Sequence, residues 1–271
     1  MTGAGDHRPS PGRSDGALPS EPVSENGEAP PRRGRLGGGR FGSFGRRPAL
    51  ALALAVPLLL ALALVMQFDA RANEPKKYDA GEIFRRSAGA VFYIRALNEE
   101  GGLKATGTGF VVGKDGTAAT AYHVVKGAAR VEAVFYDGTK VQAKVAAYDE
   151  KADAAALVLP SRKGGYAALP VRETSAGFGE KVFAIGYPMK EEAIITEGIV
   201  NNPAAEVNGR DRMLFSAQVA SGMSGGPVID EQGRVAGIIS GSFRTIAGIH
   251  LGVGAEEMGA VLRKAQKAAA N

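Results

Sequence analysis

The 271-residue sequence contains no cysteine and no tryptophan, and its only histidines are His7, His123 and His250. Without cysteine there is no disulfide, no thiol nucleophile and no cysteine-ligated zinc or iron–sulfur cluster. Three scattered histidines also argue against a histidine-rich metal site, so no metal is expected. A hydrophobic content of 45% and a charged content of 23% are typical of a chain that folds around a core.

The formal charge of +5 is unevenly distributed. Residues 1–47 hold eight arginines and five acidic residues, which leaves the remaining 224 residues close to neutral. A protein that binds nucleic acid needs a concentrated basic face to displace counterions from phosphates. The body of the chain has no such run, so nucleic-acid binding is not expected.

Residues 1–47 also contain 11 glycines and 6 prolines, with Phe41 and Phe44 as the only aromatic residues. Such a segment cannot bury enough apolar surface to offset the entropy lost on ordering. The composition therefore predicts a disordered, basic Gly/Pro-rich tail over residues 1–47.

An uncharged stretch covers residues 48–68, and its 18 residues from Ala49 to Met66 are all apolar. Eighteen helical residues extend about 27 Å, close to the roughly 30 Å thickness of the hydrocarbon core of a bilayer. The pattern predicts one transmembrane signal-anchor helix at 48–68. The alternative is a signal peptide cleaved after Ala72, because Ala70-Arg71-Ala72 is a small-x-small site.

The arginines next to this span predict its orientation. Arg46 and Arg47 directly precede it, and positive charge favours the cytoplasmic side. We therefore expect a single-pass protein of the cell membrane with a cytoplasmic N-terminus. After a linker at 69–77, a domain at 78–271 would lie outside the cytoplasm.

The remainder of the chain is dominated by short apolar runs separated by turn residues, which is typical of an all-β sandwich or barrel. Asp-Gly at 115–116 and 137–138 and Asn-Gly at 208–209 suit tight hairpins. Helices are expected at 78–88, with Ile83 and Phe84 toward the core, and at 255–269, with Met258, Val261 and Leu262 on one face. The predicted strands are 91–97, 108–113, 117–122, 130–136, 140–148, 153–159, 181–187, 193–200, 213–219, 227–230, 234–240 and 249–253.

Ser224 lies in the segment ASGMSGGP at 220–227 and is the candidate nucleophile. A serine hydroxyl needs a base to take its proton, and the oxyanion formed on the attacked carbonyl needs backbone N–H donors. Gly222 permits a sharp turn that directs its own N–H and that of Ser224 to one point. The alternative is a glycine-rich turn with an incidental serine.

His123 and Asp153 are the candidate base and orienting carboxylate. Histidine titrates near neutral pH, and His123 ends a predicted strand, where its side chain can face a cleft. Asp153 directly precedes an apolar run, so a buried strand can fix it beside the imidazole. Asp149 and Glu150 are nearby alternatives that we expect to be solvated loop charges.

Six segments together resemble the trypsin-like serine proteases, and more closely their bacterial HtrA/Deg branch. The resemblance covers about residues 78–265. The segments are GTGF at 107–110, TAYHVV at 120–125, ADAAAL at 152–157, GMSGGPVID at 222–230, GRVAGIIS at 233–240 and GIHLGV at 248–253.

The resemblance implies an all-β fold of two six-stranded antiparallel barrels with the catalytic triad in the cleft between them. His123 and Asp153 would come from the first barrel and Ser224 from the second. The N–H groups of Gly222 and Ser224 would form the oxyanion hole. The implied reaction is hydrolysis of polypeptide substrates through an acyl-enzyme, without a cofactor.

The sequence departs from this family in several places. Members of the Deg type often carry a C-terminal PDZ domain, and the chain is expected to lack one. Met223 precedes the nucleophile where asparagine or aspartate is usual. Gln218 stands where trypsin has the aspartate that binds basic side chains, so cleavage after arginine or lysine is not expected.

The candidate substrate-binding residues are Gln218, Ser240 and His250. The family match places the strand of His250 near the wall of the pocket for the residue before the scissile bond (P1). A histidine there would favour acidic P1 residues, and the alternative is a hydrogen-bonded structural histidine.

Two other functions remain open at this level. One is a catalytically silent module that keeps the protease fold and acts as a binding or sensor protein at the membrane. The other is an α/β-hydrolase esterase, because GMSGG at 222–226 also satisfies the G-x-S-x-G pattern. That fold requires a helix after the serine, whereas Pro227 and a strand-like run follow here.

Overall fold

The computed structural model describes residues 60–61, 75–190, 192–243 and 246–270, without the side chains of 269 and 270. The predicted tail at 1–47 lies outside the described residues, as does the span at 48–68 except for Leu60 and Ala61, which are helical. No helix within the described residues is long and apolar enough to cross a membrane.

The first barrel is a closed antiparallel sheet of six strands in the order β1-β2-β3-β6-β5-β4. Alternation of buried and more exposed positions in β4 directs Val131, Ala133 and Phe135 to the interior. The strands are β1 (Val91–Leu97), β2 (Leu103–Val111), β3 (Thr117–Ala121), β4 (Arg130–Phe135), β5 (Lys140–Asp149) and β6 (Ala154–Val158).

The second barrel repeats this closure in the order β10-β11-β12-β9-β8-β7. Its interior holds Met213, Phe215, Met223 and Ile239, all buried. The strands are β7 (Lys181–Met189), β8 (Glu192–Val207), β9 (Arg210–Phe215), β10 (Pro227–Asp230), β11 (Val235–Ser242) and β12 (His250–Gly254). The expectation of two six-stranded barrels is confirmed, and it excludes the esterase fold.

Strand β1 joins the two barrels because both of its faces are buried. Phe92 points into the first barrel and packs on Phe135, with 5.2 Å between the ring centroids. On the opposite face Tyr93 packs on Tyr187 of the second barrel, with centroids 6.2 Å apart. This explains why β1 is apolar on both faces instead of alternating.

Within the part of the chain that the structure describes, three helices flank the barrels. Helix α1 (Ala80–Ser87) begins at Asp79, whose carboxylate accepts a hydrogen bond from the N–H of Glu82 at 2.7 Å. Its Ile83 is fully buried and Phe84 is partly buried against the core, as the sequence predicts. The four-residue α2 (Tyr122–Val125) follows β3 directly.

Helix α3 (Ala255–Ala270) packs on β5 and β6 of the first barrel and on β11 of the second. The predicted apolar face is correct, since Met258, Val261 and Leu262 are buried together with Ala265. The helix therefore fastens the two barrels to each other.

The largest difference from the sequence prediction is β8, which continues to Val207 instead of ending at Val200. The strand continues through Asn201, Asn202 and Pro203 with register shifts between Val200 and Ala205. The strand then ends in the predicted Asn-Gly turn, where Asn208 and Gly209 have φ of 54° and 71°.

We expect Phe92→Ala to lower the free energy of unfolding by about 3–5 kcal/mol, because it leaves a cavity inside the first barrel. Leu103→Ala is the matched control, since Leu103 is 57% exposed in the same barrel and should change stability by less than about 0.5 kcal/mol. Urea unfolding followed by circular dichroism measures both. Equal losses in the two variants would contradict the described core.

Candidate active site

His123 is held at the start of α2, immediately after β3 ends. The backbone N–H of the preceding Tyr122 donates to the carbonyl of Asp153 at 3.1 Å, and the N–H of His123 donates to Asp153 Oδ1 at 2.9 Å. The ring nitrogen Nδ1 lies 2.9 Å from Asp153 Oδ2. Backbone and side chain of His123 are therefore fixed by one residue, 30 positions further along the chain.

Asp153 sits just before β6 with a φ of 65°, in the left-handed region that aspartate tolerates better than most residues. Its carboxylate is buried and receives a third hydrogen bond, from Ser240 Oγ of the second barrel at 2.6 Å. The predicted acid is thus adjacent to the predicted base. The two alternative carboxylates have other partners. Asp149 accepts a hydrogen bond from the N–H of Ala152, and Glu150 forms an ion pair with Lys126.

The pKa of Asp153 reflects two opposing effects. Burial alone would raise the pKa of this carboxyl, but the hydrogen bonds and charge of His123 and the hydrogen bond from Ser240 hold it below its ordinary value. Because the pKa is lower in the folded chain, the ionised carboxylate stabilises the fold above about pH 4. This contribution is lost as the pH falls through the folded-state pKa.

Ser224 lies in a loop whose backbone carbonyls accept hydrogen bonds from the first barrel. The N–H of Thr108 donates to the Ser224 carbonyl at 2.8 Å, and Thr108 Oγ1 donates to the Gly222 carbonyl at 2.8 Å. The N–H of Gly225 donates to Ile239 of β11 at 2.7 Å. The serine is therefore positioned by strands of both barrels.

The amides of Gly222 and Ser224 have no acceptor among the described residues, although most neighbouring groups of the loop are hydrogen-bonded. Gly222 has a φ of 94°, and a Cβ there would lie 2.5 Å from the Tyr187 carbonyl. Glycine is therefore required at this position. Two backbone amides without an acceptor are available to a ligand oxygen, which an oxyanion hole requires.

Met223 occupies the position where the resemblance leads one to expect a polar residue. Its side chain is fully buried, and Gly186 of β7 leaves room for it, since a Cβ on Gly186 would lie 2.8 Å from Met223 Cβ. Its sulfur also accepts from the N–H of Ala220 at 3.3 Å. Apolar burial thus anchors this loop.

Gly107 separates the His123 helix from the Ser224 loop. A Cβ on Gly107 would lie 2.6 Å from Val124 Cγ1 and 2.8 Å from the Ser224 carbonyl oxygen. Val124, which follows His123, and the backbone of Ser224 therefore both lie against Gly107. They can approach this closely because Gly107 has no side chain. No hydrogen bond joins the Ser224 hydroxyl to His123 in the described residues.

The three predicted substrate-binding residues lie in different environments. Ser240 faces Asp153, whereas Gln218 is exposed and its carbonyl accepts from Thr196 Oγ1. His250 is buried beside Phe215, and its Nδ1 lies 3.1 Å from Ser242 Oγ. Burial lowers the pKa of His250, which favours the neutral ring. Its Nε2 is buried without a hydrogen-bond partner among the described residues, so both interpretations of this histidine stay predictions.

Two residues of the site were not identified from the sequence. Thr108 is fully buried and links the nucleophile loop to the first barrel. Its position inside the GTGF segment at 107–110 is the sequence signal that points to it. Arg212 of β9 is buried, and its Nη1 donates to the carbonyl of Ala152 at 2.5 Å. Nothing in the local pattern of β9 separates Arg212 from the exposed Arg210.

A cleft of about 480 Å³ opens beside His123 and Asp153. Ser240 and Arg212 form its wall on the second barrel, and the tip of the β8–β9 hairpin forms its rim. The candidate site is therefore reached from solvent, and the side chain of His123 is 48% exposed.

We expect Ser240→Ala to raise the pKa of the Asp153 carboxyl, because it removes one hydrogen bond to the ionised form. Ser242→Ala is the matched control, since Ser242 contacts His250 instead. Carboxyl-carbon NMR titration of the two variants and the parent measures the shift. A pKa that falls or stays unchanged in Ser240→Ala would contradict the hydrogen bond.

Comparison with protein families assigns residues 107–238 to the trypsin-like peptidase domain. This segment contains His123, Asp153, Ser224 and both amides described above. A serine endoprotease of Yersinia pestis has the same fold, with a TM-score of 0.61 and 23% sequence identity over 70% of this chain and 67% of that one.

Several relatives are similar in sequence. The chloroplastic Protease Do-like 1 of Arabidopsis thaliana is 32% identical over 157 residues, which cover 55% of this chain and 36% of that protein. A probable periplasmic serine endoprotease DegP-like of Hahella chejuensis is 32% identical over 186 residues, 66% and 38% of the two chains. Its counterpart in Chlamydia trachomatis is 29% identical over 188 residues, 66% and 37%.

The aligned part of the chain thus spans less than two fifths of the length of these relatives. The fold, the family match and the sequence relatives nevertheless point to the same type of protein over residues 107–238. Residues 107–238 match the trypsin-like peptidase domain, and the chain is similar in sequence to DegP-like serine endoproteases over about two thirds of its length.

Proposed function

We propose that the chain is a serine endopeptidase that hydrolyses peptide bonds in polypeptide substrates, with Ser224 as nucleophile, His123 as general base and Asp153 as the residue that orients it. The observation that carries the proposal is the doubly hydrogen-bonded pair of His123 and Asp153, placed across Gly107 from a serine whose loop holds two unused amides.

In the first step Ser224 Oγ attacks the carbonyl carbon of the scissile bond, and its proton passes to His123 Nε2. Asp153 keeps the proton on Nδ1, so Nε2 is free to accept, and the carboxylate stabilises the imidazolium that forms. Contact between the hydroxyl and Nε2 is expected to tighten when substrate binds, as in other enzymes whose catalytic hydrogen bonds are long in the free state.

The oxyanion of the tetrahedral intermediate accepts hydrogen bonds from the N–H groups of Gly222 and Ser224. Collapse of this intermediate breaks the C–N bond, and His123 gives its proton to the departing amine. A water molecule then attacks the acyl-enzyme, and His123 takes a proton from that water. The second collapse releases the new carboxylate and returns the proton to Ser224.

We expect a fluorophosphonate probe to label the protein at Ser224 and to fail on Ser224→Ala. Ser221→Ala is the matched control, because Ser221 is an exposed serine of the same loop, and it should label like the parent. Loss of a triad member should lower peptide turnover by a factor of about 10⁴ to 10⁶. Equal labelling of Ser224→Ala and the parent would overturn the proposal.

The alternative function, a silent protease-fold module that binds polypeptide, gives a different result in the same experiment. It is favoured if the parent shows no turnover on a broad peptide library, with or without labelling. The proposal of an active enzyme would then be withdrawn.

We also propose that residues 48–68 anchor the chain in the cell membrane and place the peptidase domain outside the cytoplasm. The support is the 18-residue apolar run together with two DegP-like relatives that are named as periplasmic. The predicted anchor continues into a linker, so the active-site cleft would act on polypeptides near the membrane surface.

We expect the full chain expressed in a bacterial host to stay in the membrane pellet after alkaline carbonate extraction, because about 18 apolar residues match the bilayer core. A chain without residues 1–68 is the control and should be extracted. Release of the full chain at the size expected for cleavage after Ala72 would contradict a permanent anchor and favour the signal peptide.

A further inference from the structure

We propose that the cleft beside His123 contains a subsite for a carboxylate side chain of the polypeptide substrate, formed by Arg212 in its wall and Arg210 at its rim. This inference rests on the proposed function, because it names the substrate class that the same cleft selects. It replaces His250 as the source of acidic preference, since the Nε2 of that residue is buried.

Arg212 is a buried cation without an ionic partner. Only 5% of the residue is exposed, and within the described residues no carboxylate lies within ion-pair distance of it. Its one hydrogen bond goes from Nη1 to the neutral carbonyl of Ala152. Buried charges in proteins are normally paired, because removing an unpaired ion from water is strongly unfavourable.

Four of the five N–H donors of the Arg212 guanidinium have no acceptor among the described residues. A guanidinium carries five donors, and one hydrogen bond uses one of them. Among the described residues the buried side-chain polar atoms without a partner are Asn201 Oδ1 and His250 Nε2. The other guanidinium nitrogens of Arg212 are absent from that set, so they are not fully shielded from solvent, and Arg212 is among the residues that line the cleft.

Among the residues that line the cleft, Arg210 and Arg212 carry positive charge and Asp153 is the one carboxylate. The carboxylate of Asp153, which attracts Arg212, already accepts three hydrogen bonds from His123 and Ser240. Glu257 of α3 also attracts Arg212, whereas Arg210 repels it. Lys126 near Arg210 is paired with Glu150. Burial lowers the pKa of Arg212 from its high ordinary value, and a ligand carboxylate would oppose that effect.

The β8–β9 hairpin brings Arg210 to the same cleft. Asn208 and Gly209 form a two-residue turn, and the tip residues Val207, Asn208 and Arg210 line the rim. Arg210 is exposed and forms no ion pair with the described residues. A carboxylate between the two arginines can accept charge-assisted hydrogen bonds from the buried one and gain attraction from the exposed one.

The position of the cleft links carboxylate binding to cleavage. His123 lies in its wall and must touch the scissile bond, so a side chain that fills the cleft belongs to a residue within a few positions of that bond. A volume of about 480 Å³ accommodates such a side chain. The subsite would therefore select peptides with one acidic residue at a fixed distance from the cleavage point.

The test is a series of peptides in which a single glutamate is moved from P4 to P3′ across one cleavable sequence, each compared with glutamine at the same position. We expect kcat/KM to favour glutamate about tenfold to a hundredfold at one position, as a hydrogen bond to a charged group predicts. Arg212→Met should abolish that ratio, Arg212→Lys should restore part of it, and Arg210→Gln should reduce it a few-fold.

Arg162→Gln is the matched control, because Arg162 packs over the Tyr166 ring and does not line the cleft. It should keep the full ratio. A ratio near one at every position in the parent overturns the subsite. An Arg212→Met variant that loses activity equally on glutamate and glutamine peptides also overturns the subsite. Arg212 would then only position Ala152 and Asp153.

Two arms keep the outcome separate from that of the proposed enzyme. Cleavage of the glutamine peptides and labelling by fluorophosphonate test the enzyme alone. Binding of the glutamate and glutamine peptides to Ser224→Ala, measured by fluorescence anisotropy, tests the subsite without turnover. If Arg212→Met does not fold, Arg210→Gln decides, and an unchanged glutamate preference in that variant overturns the proposal.

Discussion

The buried carboxylate of Asp153 has to be satisfied from both barrels, and the geometry of the candidate site depends on this requirement. His123 supplies a backbone and a ring donor from the first barrel, and Ser240 supplies a hydroxyl from the second. A buried anion without these partners would be strongly unfavourable. The same three hydrogen bonds therefore hold the imidazole in one orientation and fix the first barrel against the second at the cleft.

The nucleophile loop is held by contacts that need small residues. Gly107, Gly186 and Gly222 each face an atom that would lie closer than 3.0 Å to an added Cβ. Thr108 then ties the loop to the first barrel through its N–H and its hydroxyl. Met223 is buried beneath the loop, and the amides of Gly222 and Ser224, the proposed oxyanion hole, have no acceptor among the described residues.

Arg212 links the second barrel to the segment of the first barrel that holds Asp153. It reaches from β9 to the carbonyl of Ala152, next to the strained backbone of Asp153, and uses one of its five donors there. A cation buried for structural reasons alone would be better replaced by an apolar residue of similar size. In the proposed subsite, the Arg212 donors that have no acceptor among the described residues recognise a substrate carboxylate.

The sequence by itself determined the order and type of most elements, because hydrophobic period and turn residues are local properties. Eleven of the twelve predicted strands differ from the structure by only a few residues at either end, and β8 runs on because pairing with β9 outweighs Asn202 and Pro203. The adjacency of His123 and Asp153 was also predicted, from spacing and family resemblance. The tertiary structure alone decided that Arg212 faces the cleft and His250 does not, because burial and charge balance depend on strands distant in the chain.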